Sequence, residues 1–457
     1  SDNVFGNEFN NNIIGNNFGY NNISDYSSNN IIGNNFRGNT IGYGFQINTI
    51  GYNFYNNTIG NYFYYNTIGD EIYFNTIGDG FFNNTIGDNF SNNPIGGGFT
   101  DNTIGNNFGF NSSIGTNFQY NTIKNYFQSN TIGNYFQYND IGTDFQNNTI
   151  ADNFGGDADG YNRGNIIGNY FANNTTLGYF YGNTIGIFCG GNPNDGAQPN
   201  TFGDTFYNNT IGNNFNTNTI GTNFYNNTIG NNFQINTIGN NSYYNVIGNS
   251  FSVNTIGTIF QYNTIKDNFQ NNTIGNYFQY NDIGTDFQNN TIADYFGNNE
   301  DSFGRGNIIG NYFQNNTTLG SFYNNIIGVF CGGNLDSGST PNIFGGGFDG
   351  NTIGNNCYNN TIGSDFYGNI IGTVFGNNSI GNSCNNNNIG NEFYNNIIGN
   401  IFRYNNIDFS SVSLTNFTTA TFVYNNYSKN IFRNSAGVSQ LSYFNALNVL
   451  TVVLPTA

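Results

Sequence analysis

The sequence predicts an all-β protein: a parallel β-solenoid (β-helix) with about 18 residues per coil, made from two nine-residue repeats, and a short C-terminal β segment. Three observations carry this. Ile and Phe recur with a nine-residue period over almost the whole chain; 48 Phe and 34 Tyr stand beside only 5 Pro and 7% charged residues; and a long internal duplication keeps the repeat in phase.

The period is plainest where Ile123, Ile132, Ile141 and Ile150 lie nine apart, as do Phe127, Phe136, Phe145 and Phe154. The unit reads N-x-I-G-x-x-F-x-x, with Asn121, Asn130, Asn139 and Asn148 two places before each Ile. Apolar residues at gaps of four and five, with Gly or Asn between them, make no helical stripe. In a short N-T-I strand the side chains alternate, so Asn and Ile face inward and Thr outward. Gly133 or Gly142 then turns the chain, and Phe points inward again. Stacking in register sets Ile on Ile, Phe on Phe and Asn on Asn, so the inward amides form ladders. Ile123, Phe127, Ile132, Phe136, Ile141 and Phe145 are the expected core.

The coil size follows from the duplication. Ile123 to Phe206 recurs as Ile265 to Phe348, an offset of 142 residues, with Arg163 matching Arg305, Cys189 matching Cys331 and Pro199 matching Pro341. Ile141 to Ile283 holds fourteen units, an even number not divisible by three. Whole coils keep the faces in phase, which favours two units per coil. About forty-two units run from Phe5 to Ile407, giving a solenoid over residues 1–407. Beyond it the rhythm stops, and residues 408–457 read as ordinary strands such as VSLTNFTTATFVY and VLTVVLP, a capping or oligomerisation segment.

The repeat is interrupted by spacings of seventeen at Ile150 to Ile167, Ile185 to Phe202, Ile292 to Ile309 and Ile327 to Phe344. Each inserts about eight residues as a loop or hides a degenerate unit. A spacer needs no such irregularity, so the loops at 155–165, 189–200, 297–307 and 331–342 are the candidate recognition elements. Asp157, Asp159, Tyr161, Arg163, Asp195, Asp301 and Arg305 supply adaptable hydrogen bonding there.

Charge excludes some partners. Eight basic residues against 26 acidic ones give −18, with no basic cluster to track phosphates, so nucleic acid is not expected. The scattered acids serve solubility or a cation-binding surface. No apolar run approaches the roughly 20 residues of a membrane span, and the opening residues carry no signal-like stretch. Cys357 and Cys384 stand at Phe positions, so the cysteines read as small buried thiols.

Catalytic chemistry is thin. The absence of His removes the commonest general base and zinc ligand, and the glycines follow the repeat instead of forming a phosphate loop. Neither cofactor nor metal is expected, and the chain reads as a non-enzyme. Acids alone can cut polysaccharide, which leaves Asp157 with Asp159 and Glu300 with Asp301. Only Asp159 and Asp301 correspond under the duplication, each four residues before an Arg, which also suits a loop-ordering ion pair.

Two outward files have a structural and a functional reading. Thr210, Thr219, Thr228, Thr237, Thr255, Thr264 and Thr273, broken by Val246 and Asp282, are β-branched strand residues or an ice-binding array. Tyr126, Tyr135, Tyr138, Tyr262, Tyr277 and Tyr280 stack on sugars or pack against another rod.

The N-T-I-G-N stretches resemble the pentapeptide-repeat unit, with Ile as the large inward centre, and I-G-x-x resembles the start of the hexapeptide left-handed β-helix unit. Asn-rich N-T-I-G-N-N-F arrays followed by the tail L-S-Y-F-N-A-x-N-V-L are similar to fibre or appendage proteins of phages infecting Bacteroidota. That resemblance implies a virion-surface or extracellular fibre that binds host glycans. The alternatives are a self-assembling extracellular filament, through homo-oligomers or end-to-end association, and an ice-binding solenoid.

Overall fold

The computed structural model describes residues 61–70, 76–109, 112–156, 164–190, 199–297, 306–332, 341–390, 396–398 and 401–407 in full, with the backbone of short strands before, between and after them. The chain divides into two compact units, Ser1–Asn231 and Asn232–Ala457, and each holds one copy of the duplicated segment.

One coil of the first unit shows the plan. Thr131–Ile132 forms the first wall, Phe136–Gln137 the second, Asp140–Ile141 the third and Phe145–Gln146 the fourth. The next coil repeats the order, and Thr149–Ile150 pairs in parallel with Thr131–Ile132, residue for residue eighteen places on. The second unit does the same, as Thr255–Ile256 with Thr273–Ile274. The expected parallel solenoid with two repeats per coil is therefore the fold.

The corners differ from the expectation that Gly turns the chain. Left-handed backbone occurs one residue before Phe, at Tyr126, Tyr135 and Asp144 (φ 60–64°), and two after it, at Ser129, Tyr138 and Asn147 (φ 57–59°). Asn and Asp tolerate this conformation cheaply; Tyr does so only when its surroundings over-determine it. The Gly after Ile serves close approach instead. A Cβ on Gly142 would fall within bonding distance of the Lys124 carbonyl oxygen of the preceding coil.

Inside, Phe127, Phe136 and Phe145 are fully buried, and Ile123, Ile132 and Ile141 nearly so. Within a wall the rings stack, Phe118 on Phe136 at 4.9 Å and 2°. Between the second and fourth walls they meet obliquely or edge-on, Phe127 with Phe136 at 5.6 Å and 58° and Phe136 with Phe145 at 5.9 Å and 64°. Both arrangements suit the ring quadrupole, at about 0.5–1.5 kcal/mol per pair beyond burial.

The inward Asn explains its own abundance. Asn139 Oδ1 accepts from the Asn121 backbone N–H at 2.9 Å and from Asn121 Nδ2 at 3.1 Å. Asn139 Nδ2 donates to Phe118 O at 3.0 Å and to the next Asn. A two-residue strand leaves these corner groups without ladder partners, and a buried unpaired amide is costly. Asp lacks the donor, and the single O–H of Ser cannot donate both to the strand carbonyl and to the next residue of the ladder.

Near the chain end, parallel stacking continues past Ile407 in backbone: Asn406–Asp408 pairs with Ile431–Arg433. Asn430–Arg433 then pairs antiparallel with Ser439–Ser442, and Leu441–Phe444 with Leu450–Val453.

Candidate functional site

The structure defines the roots of the four insertions. In the first unit one loop leaves the second wall after Phe154–Gly155 and rejoins the third at Ile166–Ile167. The other leaves the fourth wall after Phe188–Gly190 and rejoins the first at Thr201–Phe202. These corners lie half a coil apart, so the two loops of a unit do not share one edge. The second unit repeats the pattern after Tyr295–Gly297 and after Phe330–Gly332. All four insertions start later than the sequence suggested, because Gly155, Cys189–Gly190, Gly297 and Cys331–Gly332 are still strand.

The amide ladder runs on across the insertions. Asn139 bonds Asn165 through N–H at 2.9 Å and Nδ2 at 3.0 Å, although they are 26 residues apart instead of 18. Asn281 and Asn307 repeat this in the second unit. The ladder thus passes over eight residues at each insertion and stays intact there.

Four glycines make the exits, and sequence reasoning missed them. Gly155, Gly190, Gly297 and Gly332 follow the inward Phe or Cys and take φ of 142°, 123°, 114° and 136°. A Cβ on Gly297 would lie 1.8 Å from the Tyr323 carbonyl oxygen. The signal was present: Gly follows the inward residue at each seventeen-residue spacing.

Around the second loop the core is repacked. Cys189 occupies a Phe position, stacked between Phe171 and Phe215, and Phe202 occupies an Ile position above Thr176. The ring of Phe202 sits at 4.8 Å from Phe180 and 4.7 Å from Phe206, both edge-on. Small Thr176 and Cys189 make room for it. The second unit repeats the exchange with Thr318, Cys331 and Phe344. Cys331 and Cys357 are register neighbours on the fourth wall, and all four thiols are buried and free, as expected. Burial pushes the thiols of Cys189, Cys331 and Cys384 up, and at Cys331 the neighbouring Cys357 adds to it.

The second wall beside the first loop of each unit carries amides and phenols. Gln119 Nε2 donates to Gln137 Oε1 at 3.1 Å, and Gln137 donates to the Gly156 carbonyl at 2.8 Å, at the loop root. Tyr120 and Tyr138 stack alongside at 4.7 Å. In the second unit Gln261 donates to Gln279 at 2.7 Å, flanked by Tyr244, Tyr262 and Tyr280 at one corner and by Tyr277 and Tyr295 at the other edge. The Tyr262 phenol is raised, first by partial burial and then by its neighbours Tyr280 and Tyr244. Stacking has a chemical consequence: a ring inside the ladder has its faces covered by its neighbours, leaving its edge and hydroxyl outward. Tyr126 and Tyr135 are half-exposed at left-handed corners.

The threonine file separates into two. Val246 and Asp282 lie on the third wall with Thr264. The first wall carries Thr237, Thr255, Thr273 and Thr291 without a break, all exposed. The first unit has Thr131, Thr149, Thr175, Thr201 and Thr219 in the same wall.

The loop candidates Asp157, Asp159, Tyr161, Arg163, Asp195, Asp301 and Arg305 lie outside the described residues, as does Glu300. Among the described residues no group of three His, Cys, Asp or Glu side chains is placed to hold a metal ion, and no helix is long and apolar enough to cross a membrane. The chain matches no protein-family model, no curated protein and no solved structure.

Proposed function

We propose that this chain is a structural and adhesive fibre protein, a phage or cell-surface appendage outside the cell, that contacts glycans through its four inserted loops. The observation that carries the reading is that the amide ladder continues across each insertion, skipping eight residues, once at each of two corners in each unit. Such a scaffold fixes the roots of variable loops while the core stays constant, an arrangement that favours binding on loops. The glutamine amides and tyrosine edges beside the first loop of each unit add hydrogen-bonding groups suited to saccharide hydroxyls.

A glycan array with the full chain and with a variant whose segments 157–163, 191–198, 298–305 and 333–340 are cut to short turns tests this. Glycan binding by the full chain that vanishes on trimming is the expected result. Binding that survives trimming, or filaments by electron microscopy with no glycan bound, would overturn the loop assignment, the latter in favour of self-association.

The unbroken first-wall threonines support a second reading, ice binding, because a regular file of hydroxyls and methyls can order water. Thermal hysteresis in the native chain that is lost in Thr255→Lys and Thr273→Lys would replace the adhesive reading.

A further inference from the structure

We propose that Tyr244, Tyr262 and Tyr280 form a preassembled site of oxidative cross-linking, at which neighbouring rings couple as dityrosine and tie adjacent coils of the second unit together. The three residues occupy one corner column, each two places after the inward residue of the second wall, Ser242, Phe260 and Phe278. Each takes left-handed backbone, with φ of 57°, 56° and 57°. In-register stacking sets Tyr244 and Tyr262 at 5.0 Å and 15°, and Tyr262 and Tyr280 at 4.8 Å and 10°.

Coupling needs two radicals side by side and access for an oxidant. The ladder supplies the first. Exposure supplies the second, since Tyr244 is 54% and Tyr262 44% exposed and Tyr280 is partly exposed. Corner side chains of this exposure have room to tilt toward each other. The cysteines offer no competing staple, because all four are buried free thiols.

The oxidant is hydrogen peroxide acting through a haem peroxidase. Each of two phenols gives up one electron and its hydroxyl proton, leaving two phenoxyl radicals. One carbon–carbon bond forms between carbons ortho to the two oxygens. The hydrogen on each of those carbons moves to its own phenoxyl oxygen and restores the aromatic ring. The peroxide takes up the two electrons and two protons and becomes two waters. Each ring has two ortho carbons, so Tyr262 can couple to both neighbours. Tyr120 and Tyr138 stack as closely, but Tyr138 is only 9% exposed, and the exposed Tyr277 and Tyr295 stand farther apart at 5.2 Å; both form slower pairs.

The test treats the full chain with peroxide and a haem peroxidase at high dilution, then maps linked peptides by mass spectrometry. Tyr244–Tyr262 and Tyr262–Tyr280 links, each lighter by two hydrogen atoms and accompanied by blue dityrosine fluorescence, should dominate. Tyr262→Phe keeps the ring stack and should abolish both links, with circular dichroism confirming the fold; Tyr244→Phe should remove the first link and leave the second. The proposal fails if oxidation in concentrated urea yields the same spread of linked pairs, or if the links chiefly join separate chains.

Discussion

Ser112 breaks the amide ladder and so offers a gain-of-stability experiment. It stands at an inward Asn position, where its hydroxyl accepts from the Asn93 N–H at 3.1 Å and reaches the Gly109 carbonyl only at 3.5 Å. One coil on, Asn130 Oδ1 is buried without a hydrogen-bond partner. In the intact ladder that oxygen has two donors: Asn148 Oδ1 accepts from Asn130 N–H at 2.9 Å and Nδ2 at 3.2 Å. An orphaned buried acceptor costs about 1–3 kcal/mol, and fitting the larger side chain takes back about 1 kcal/mol. Ser112→Asn should therefore stabilise its coil by about 1 kcal/mol, which is roughly fivefold in an opening equilibrium. Hydrogen exchange reads this at the amides of Thr131 and Gly133, which donate to Ser112 O and Ile114 O. Both should exchange about fivefold more slowly. Asn139→Ser is the reverse experiment and should cost about 1–3 kcal/mol, because it removes the Nδ2 donor from the buried Phe118 carbonyl and from Asn165 Oδ1. If Ser112→Asn speeds exchange while Ser112→Ala slows it, packing volume governs the site and the reasoning about the acceptor is wrong.

Three further outcomes are expected. Phe136→Ala removes a fully buried ring stacked on Phe118 and Phe154 and should cost about 3–5 kcal/mol; exchange protection should fall only in nearby coils, and loss throughout the first unit would contradict nearest-neighbour stability. Gly297→Ala places a methyl against the Tyr323 carbonyl at a φ of 114°, so thermal unfolding of the second unit should move to lower temperature, whereas an unchanged transition would show that the loop exit is not fixed by this residue. Burial raises the thiols of Cys189, Cys331 and Cys384 in the folded chain, while unfolded thiols ionise near pH 8.5. Their contribution is complete below that pH and is lost as pH rises above it, so the melting temperature should fall toward alkaline pH, and less steeply in a variant with these three residues changed to Ala.

Much of this architecture was legible because the repeat is redundant. Each Ile and Phe restates the same inward position, so a nine-residue period and an even-numbered duplication were enough to predict the core at Ile123, Phe127, Ile132, Phe136, Ile141 and Phe145 and the two-repeat coil. The Asn ladder was also foreseeable, from inward alternation and in-register stacking. The candidate site was legible only as interruptions of rhythm. Their positions located the loops, but the loop side chains named from sequence lie outside the described residues. The exit glycines were passed over because glycine is common throughout the repeat; only φ and the approaching carbonyl distinguish Gly297 from its neighbours.

The sequence by itself determined which residues face inward and how many close a coil, because alternation and period are properties of the chain read in order. Only the tertiary structure decided what meets across coils. It assigned successive Thr residues to different walls, which removed Val246 and Asp282 from the file of Thr237, Thr255, Thr273 and Thr291. It placed left-handed corners beside Phe instead of at the Gly after Ile, where the backbone of the preceding coil leaves no room for a Cβ. It matched the small Thr176 and Cys189 to the large Phe202 and stacked the tyrosines of one corner face to face. Most of these are contacts between residues 18 or 26 apart, fixed by coil closure and by the volume each neighbour leaves, and neither quantity is carried by a nine-residue period.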